Sequence, residues 1–143
     1  MSSKRKNQSG AGEASQFFHG QDVETQNATI QATSERVIDL LNQAQLANVE
    51  EKLNYLKQVQ ELIVNKDPTL LDNFLDEVLI FQQDRHHDIR KFVVLFIEET
   101  CKKDPELLSK TVGCLTYMLD DENISVRKRV MLACNSLYKI ALQ

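Results

Sequence analysis

Cysteine and histidine are the residues of this chain best suited to covalent or metal chemistry, and their spacing decides what they can do. Cys101, Cys114 and Cys134 are an odd number, none sits in a C-x-x-C pair, and each falls among apolar residues on a helical pattern. That reads as small buried hydrophobes in a reducing compartment. His86 and His87 are adjacent, so on a helix they point about 100° apart and cannot both ligate one metal. His19 lies far from both. No Ser-His-Asp candidate, glycine-rich phosphate loop or HExxH occurs, and a cysteine nucleophile needs a cleft that a row of helices does not provide. The expectation is a protein that is not an enzyme, with no catalytic, cofactor-binding or metal-binding residue.

Composition agrees with a binding role. Of 143 residues, 42% are hydrophobic and 27% charged, an ordinary globular balance that suffices for one modest domain. The net charge is -4, and because Lys4, Arg5 and Lys6 are balanced by Glu13, Asp22 and Glu24, the remainder of the chain carries the whole deficit. A general phosphate-backbone binder has the opposite balance. The start, Met-Ser-Ser-Lys-Arg-Lys, has no apolar core after it, and no apolar run approaches the ~18 residues of a membrane helix, so a soluble intracellular protein without membrane insertion is expected. Glycosylation-type triplets at Asn7, Asn27 and Asn123 are then chance. Lys4-Arg5-Lys6 is too short to define a nuclear import signal.

The elements that must hold a surface in place are helices. Residues 1–32 hold three of the four glycines and few aliphatics, a composition that predicts a disordered N-terminal tail. Phe17 and Phe18 stand out within it, either folding back onto the first helix or forming a short docking motif. From Thr33 the pattern is helical throughout, with no strict alternation of a strand. A helix at 34–46 carries Val37, Ile38, Leu40, Leu41 and Ala44, with Thr33 or Ser34 as its cap. A helix at 49–65 opens with Asn48 and Glu51 at capping-box spacing. The only prolines, Pro68 and Pro105, each follow an aspartate and precede a Leu-Leu pair, which predicts two helices starting alike with Asp67 and Asp104 as N-caps.

Those two starts are 37 residues apart, and an ungapped shift of 37 residues aligns Lys66 to Lys102 with 11 identities in 37 pairs. Asp84 falls on Asp121, Ile89 on Val126, Arg90-Lys91 on Arg127-Lys128, and Val93 on Val130. The fold class expected is all-α, a HEAT-like α-solenoid of antiparallel helix pairs over 33–143, with repeats at about 47–83, 84–120 and an incomplete 121–143. The helix pairs are 49–65 with 68–82 and 86–102 with 105–119, then 123–142 alone. An aspartate six residues before an arginine that directly follows an aliphatic residue, twice in phase, resembles the HEAT-repeat signature, which implies a ladder of ion pairs along the turns through Asp84, Arg90, Asp121 and Arg127. At the same offset the first unit has Ala47 and Leu53, a departure that suits a terminal unit capped by the helix at 34–46. The third unit carries no polar closing segment, which predicts the front of a longer protein or a shortened form.

In HEAT-like arrays the second helix of each pair lines the concave side. The candidate partner surface is therefore Asp72, Asn73, Asp76 and Glu77, with Ile80, on one such helix, and Lys110, Thr116 and Tyr117 on the next. The rival surface is basic, Arg127-Lys128-Arg129 with Lys102 and Lys103, which would make the chain a nucleic-acid-contacting helical solenoid. It lacks interleaved aromatics and sits in an acidic domain, so direct nucleic-acid binding is not the expected role.

Ala14-Ser15-Gln16-Phe17-Phe18, the run from Thr33 to Ala44, and above all Leu56 to Leu79 (LKQVQELIVNKDPTLLDNFLDEVL) resemble the N-terminal region of the symplekin family. Arg90 to Val93, Phe96 to Glu99 and Asp121 to Asn123 continue the likeness. The resemblance implies a nuclear, non-enzymatic scaffold of pre-mRNA 3′-end processing, with a further association with tight-junction plaques. Its partners would be proteins of the cleavage and polyadenylation and histone pre-mRNA processing complexes. A phosphatase acting on serines of the C-terminal tail of RNA polymerase II would dock on the concave face and be promoted by it. No cofactor is implied. The family's domain is longer than the repeats present here, so individual contact residues are not carried over.

Overall fold

The computed structural model describes the backbone of residues 2–142 and the side chains of residues 23–142. It is all-helical, with no strand among the described residues. The chain divides into two compact units, Met1–Glu35 and Arg36–Gln143. In the first, the backbone is helical as the leading part of α1, Ser2–Leu46, where a disordered tail is expected from composition. From Val23 to Ala32 every side chain is exposed except the half-buried Ile30, so this stretch has no apolar stripe of its own. The side chains of Phe17, Phe18, His19 and Lys4-Arg5-Lys6 lie outside the described residues. Thr33 does not cap a helix: its Oγ1 donates to the Thr29 carbonyl at 2.9 Å from inside a continuous turn.

The second unit holds the core. The last turns of α1 bury Val37, Leu40, Leu41 and Ala44. Then come α2 (Val49–Gln60), α3 (Leu71–Leu79), α4 (His87–Lys103), α5 (Leu108–Met118) and α6 (Ile124–Ala141). Their starts follow local chemistry. Asn48 accepts from the Glu51 N–H at 2.9 Å, and Asn123 accepts from the Ser125 N–H at 2.8 Å, each satisfying a donor that the helix cannot. Pro68 and Pro105 open the first turns of the α3 and α5 segments, where the missing N–H is not needed. Both first turns are 3₁₀, Pro68–Leu70 and Pro105–Leu107. Asp104 caps the second through the Glu106 N–H; Asp67 instead accepts from the Thr69 hydroxyl and so does not act as the backbone cap its sequence position predicts.

Side-chain pairs give the packing order. Arg90 reaches Asp121 and Glu98 reaches Arg129, each 31 residues on, so α4 and α6 lie side by side in the same direction. Lys110 bonds Asp72, and Cys114 bonds Gln82, setting α5 beside the α3 segment. Across the Asp104-Pro105 turn, Cys101 Sγ meets Thr111 Oγ1 at 3.3 Å, folding α5 back against α4. Helix α4 is the most enclosed element. Ile89, Phe96 and Ile97 are wholly buried, each large apolar side chain contributing about 1.5–3 kcal/mol.

One irregularity resets the register of the first repeat. The last turn of that hairpin's leading helix, Glu61–Lys66, is a π turn, closed by Asp67 N–H to the Leu62 carbonyl. The equivalent Asp104 N–H reaches only to Thr100, one residue less. A π turn holds an extra residue, so upstream of it the equivalence with α4 becomes 38 residues rather than 37. The caps show this directly: Asn48, His86 and Asn123 stand at the starts of α2, α4 and α6.

Candidate functional site

The candidate residues gather along the turns that precede α4 and α6 and on the exposed sides of α3 and α5. Before α4, Asp84 uses one carboxylate oxygen to accept from the His86 backbone N–H at 2.9 Å and the other to accept from Lys52 Nζ at 2.6 Å. Before α6, Asp121 accepts from the Asn123 backbone N–H at 2.9 Å and from both Nε and Nη2 of Arg90, at 2.8 and 3.1 Å. Each aspartate thus fixes the start of one helix and binds a cation from the start of the preceding one. Arg90 closes the motif with Nη1, which donates to the carbonyls of Asp84 and Arg85 at 2.8 and 2.9 Å. Arg127 Nη1 donates likewise to the Asp121 carbonyl at 2.6 Å.

The residue that sequence comparison missed is Lys52. An ungapped shift points to Leu53, whereas the π turn makes Lys52 the counterpart of Arg90. The signal was present: a basic residue follows each helix cap by four positions, as Asn48 and Lys52, His86 and Arg90, Asn123 and Arg127. The first unit therefore keeps the cation of the pattern and lacks only an aspartate ahead of its own cap, where Leu46 stands exposed.

The Arg90–Asp121 pair is enclosed, with both side chains 8% exposed. Burial pushes the Asp121 carboxyl up, but hydrogen bonds from Arg90 and from the Asn123 backbone, with the charges of Arg90 and Arg127, outweigh it and hold the group below the usual carboxylate range. The same hydrogen bond raises Arg90 further above its ordinary value. A cleft of about 660 Å³ opens beside the pair, lined by Gln82, Gln83, Asp84, Arg85, Arg90, Tyr117, Asp120, Asp121 and Glu122.

On the expected partner surface, Asp72, Asn73, Asp76, Glu77, Lys110, Thr116 and Tyr117 are all exposed. Asp72 and Lys110 meet at 2.5 Å, joining the α3 side to the α5 side. Tyr117 is 63% exposed and forms a wall of the cleft, and Ile80 is 57% exposed. Thr116 turns its hydroxyl onto the Val112 carbonyl.

The basic residues are largely engaged by protein groups. Arg129 bonds Glu98, Lys102 lies 3.4 Å from the same carboxylate and 3.7 Å from Glu99, and Arg127 is tied to a backbone carbonyl. Lys128 and Lys103 remain exposed. His86 is not on a helix but caps one, its Nδ1 accepting from the Asp88 N–H. Its ring stacks on His87 with centroids 4.6 Å apart. With Asp88 they bring ligand-type atoms within 4.8 Å of one another, although the sequence placed the two imidazoles too far apart in direction to share a metal. Burial raises the Cys101 and Cys134 thiols and pushes Cys114 up to about 11, which suppresses the nucleophilic thiolate at neutral pH. No helix among the described residues is long and apolar enough to cross a membrane. No family model matches the chain.

Proposed function

We propose that this chain is a HEAT-type helical repeat that works by docking other proteins, without chemistry of its own. The observation that carries the reading is the recurrence of one arrangement in three dimensions: a cap, a cation four residues later, and an aspartate in the next turn that receives that cation, as Lys52 with Asp84 and Arg90 with Asp121. Such units stabilise one another mainly through neighbours and leave extended side surfaces free for partners.

The resemblance to the symplekin family supplies the identity of those partners. On that basis the protein is a nuclear scaffold of pre-mRNA 3′-end processing that engages the cleavage and polyadenylation factors and the polymerase-tail serine phosphatase. The exposed side of α3 and α5, with Asp76, Glu77 and Tyr117, is the surface we assign to them. Tyrosine offers a large, stiff, amphipathic anchor of the kind that dominates interface energetics. The test is capture from nuclear extract by the full chain and by its Asp76→Lys and Tyr117→Ala variants, with immunodetection of the phosphatase and the processing factors. Recovery by the native chain and loss in the variants supports the proposal. Equal recovery by all three removes the surface assignment, and recovery of neither class of protein removes the partner assignment.

A further inference from the structure

Two adjacent histidines diverge by about 100° only where both are helical, and His86 is not. It stands in extended backbone, φ -93° and ψ 128°, as the cap of α4, with His87 as the first helical residue. The two rings are therefore brought together rather than splayed, stacked with centroids 4.6 Å apart and planes 20° from parallel. Asp88 follows in the first turn and meets both. One of its carboxylate oxygens lies 3.8 Å from Nδ1 of His86 and the other 3.4 Å from Nε2 of His87. Donors about 2.0–2.1 Å from a tetrahedral zinc stand about 3.4 Å from one another, so these two separations are close to those of a ligand set. One donor atom from each residue fits within a span of 4.8 Å. The side chains of His86, His87 and Asp88 are 39%, 42% and 49% exposed, free to rotate through the remaining distance and open to an ion from solvent. Capping does not account for the imidazoles. The equivalent starts of α2 and α6 carry Asn48-Val49 and Asn123-Ile124, an amide cap followed by an aliphatic residue.

We propose that His86, His87 and Asp88 form a binding site for a divalent cation of the zinc, nickel and copper class. Imidazole nitrogen suits these ions, whereas magnesium and calcium take oxygen ligands. Two imidazoles and one carboxylate leave a coordination position for water, and the Asp88 charge offsets the positive end of α4. Nδ1 of His86 accepts from the Asp88 N–H at 3.1 Å, and the lone pair that makes this hydrogen bond is the one the ion takes. Binding thus exchanges a single capping bond for three bonds across the same turn. That turn also carries Asp84, which holds Lys52 of the preceding hairpin, so the ion ties down the junction between that hairpin and α4. The site is a structural clip, in keeping with a chain that has no chemistry of its own. It is separate from the partner surface on α3 and α5, and either assignment can fail without the other.

The probe is Zn²⁺ alone, titrated calorimetrically into the full, reduced chain. It should fill one saturable site with a Kd below about 0.1 mM, while Mg²⁺ gives no binding. His86→Asn supplies the amide cap that serves α2 and α6, and His87→Ala alters a side chain that makes no hydrogen bond among the described residues, so both variants should fold. Each should weaken zinc binding at least about tenfold. Zn²⁺ should raise the melting temperature of the native chain by linkage; the metal-free His86→Asn variant should melt close to the native chain and gain nothing from Zn²⁺. Affinity that neither His86→Asn nor His87→Ala lowers overturns the inference, because the ion would then sit on the cysteines or on His19. So does the absence of saturable binding up to about 1 mM.

Discussion

At the scale of single residues the arrangement hangs on enclosed ion pairs, and these make sharp predictions. Removing one member of the Arg90–Asp121 pair strands the other in a site where both side chains are 8% exposed, so Arg90→Met and Asp121→Leu should each cost about 3–5 kcal/mol in urea unfolding. The double variant should cost less than the sum, because no buried charge is left alone. A sum that is simply additive would mean that the two side chains act separately. The pair also sets a pH dependence. Asp121 is held below its ordinary value of 3.8 in the folded state, so its contribution is present above the unfolded value and is lost as pH falls through the folded one. The deficit of Asp121→Leu relative to the native chain should therefore be full at pH 7 and shrink below about pH 4. Asp84, Arg90, Asp121 and Arg127 were visible in the sequence because their spacing recurs without a gap. Lys52 was hidden because a hydrogen-bonding irregularity, not a change of residue type, displaced it by one position.

At the scale of elements, helix starts were more legible than helix ends. Asn48 and Pro105 act at the positions that composition indicates, because capping depends on a few neighbouring groups. The start placed at Thr33 or Ser34 was wrong for a physical reason: serine and threonine hydroxyls can also bond back to a carbonyl within a helix, as Thr33 does to Thr29. The π turn at Glu61–Lys66 carries no residue signature that separates it from an ordinary helical turn. Caps still differ in what they support. Asn123 serves α6 with both the Ser125 N–H and the Ser125 hydroxyl as donors. Asn123→Ala should lower stability by about 1 kcal/mol in thermal or urea unfolding, while Asn123→Asp or Asn123→Ser should recover most of it. If alanine is tolerated without loss, the start of α6 is fixed by Asp121 and the packing of Val126 rather than by its cap.

On the proposed repeat reading the whole second unit is a row of neighbours, and its stability should be distributed accordingly. Helix α4 is covered by elements before and after it, and Phe96 at its centre is fully buried; α6 meets α4 and α5 with Val126, Val130, Ala133 and Leu137, while Met131, Leu132 and Tyr138 stay exposed. In a repeat array, stability is close to a sum of unit and interface terms, so damage at one end need not spread. Leu137→Ala removes a large side chain from the α6 packing and should cost about 2–5 kcal/mol there. Followed by hydrogen exchange, its effect should appear as lost protection in α6 and the neighbouring part of α5, with the amides of α2 and α3 nearly unchanged. Phe96→Ala, costing about 3–5 kcal/mol at the centre, should lower protection throughout the unit. The contrast is what separates a row from a bundle. A bundle closing on one shared core would lose protection everywhere for both substitutions, and that outcome would remove the repeat reading together with the docking function built on it.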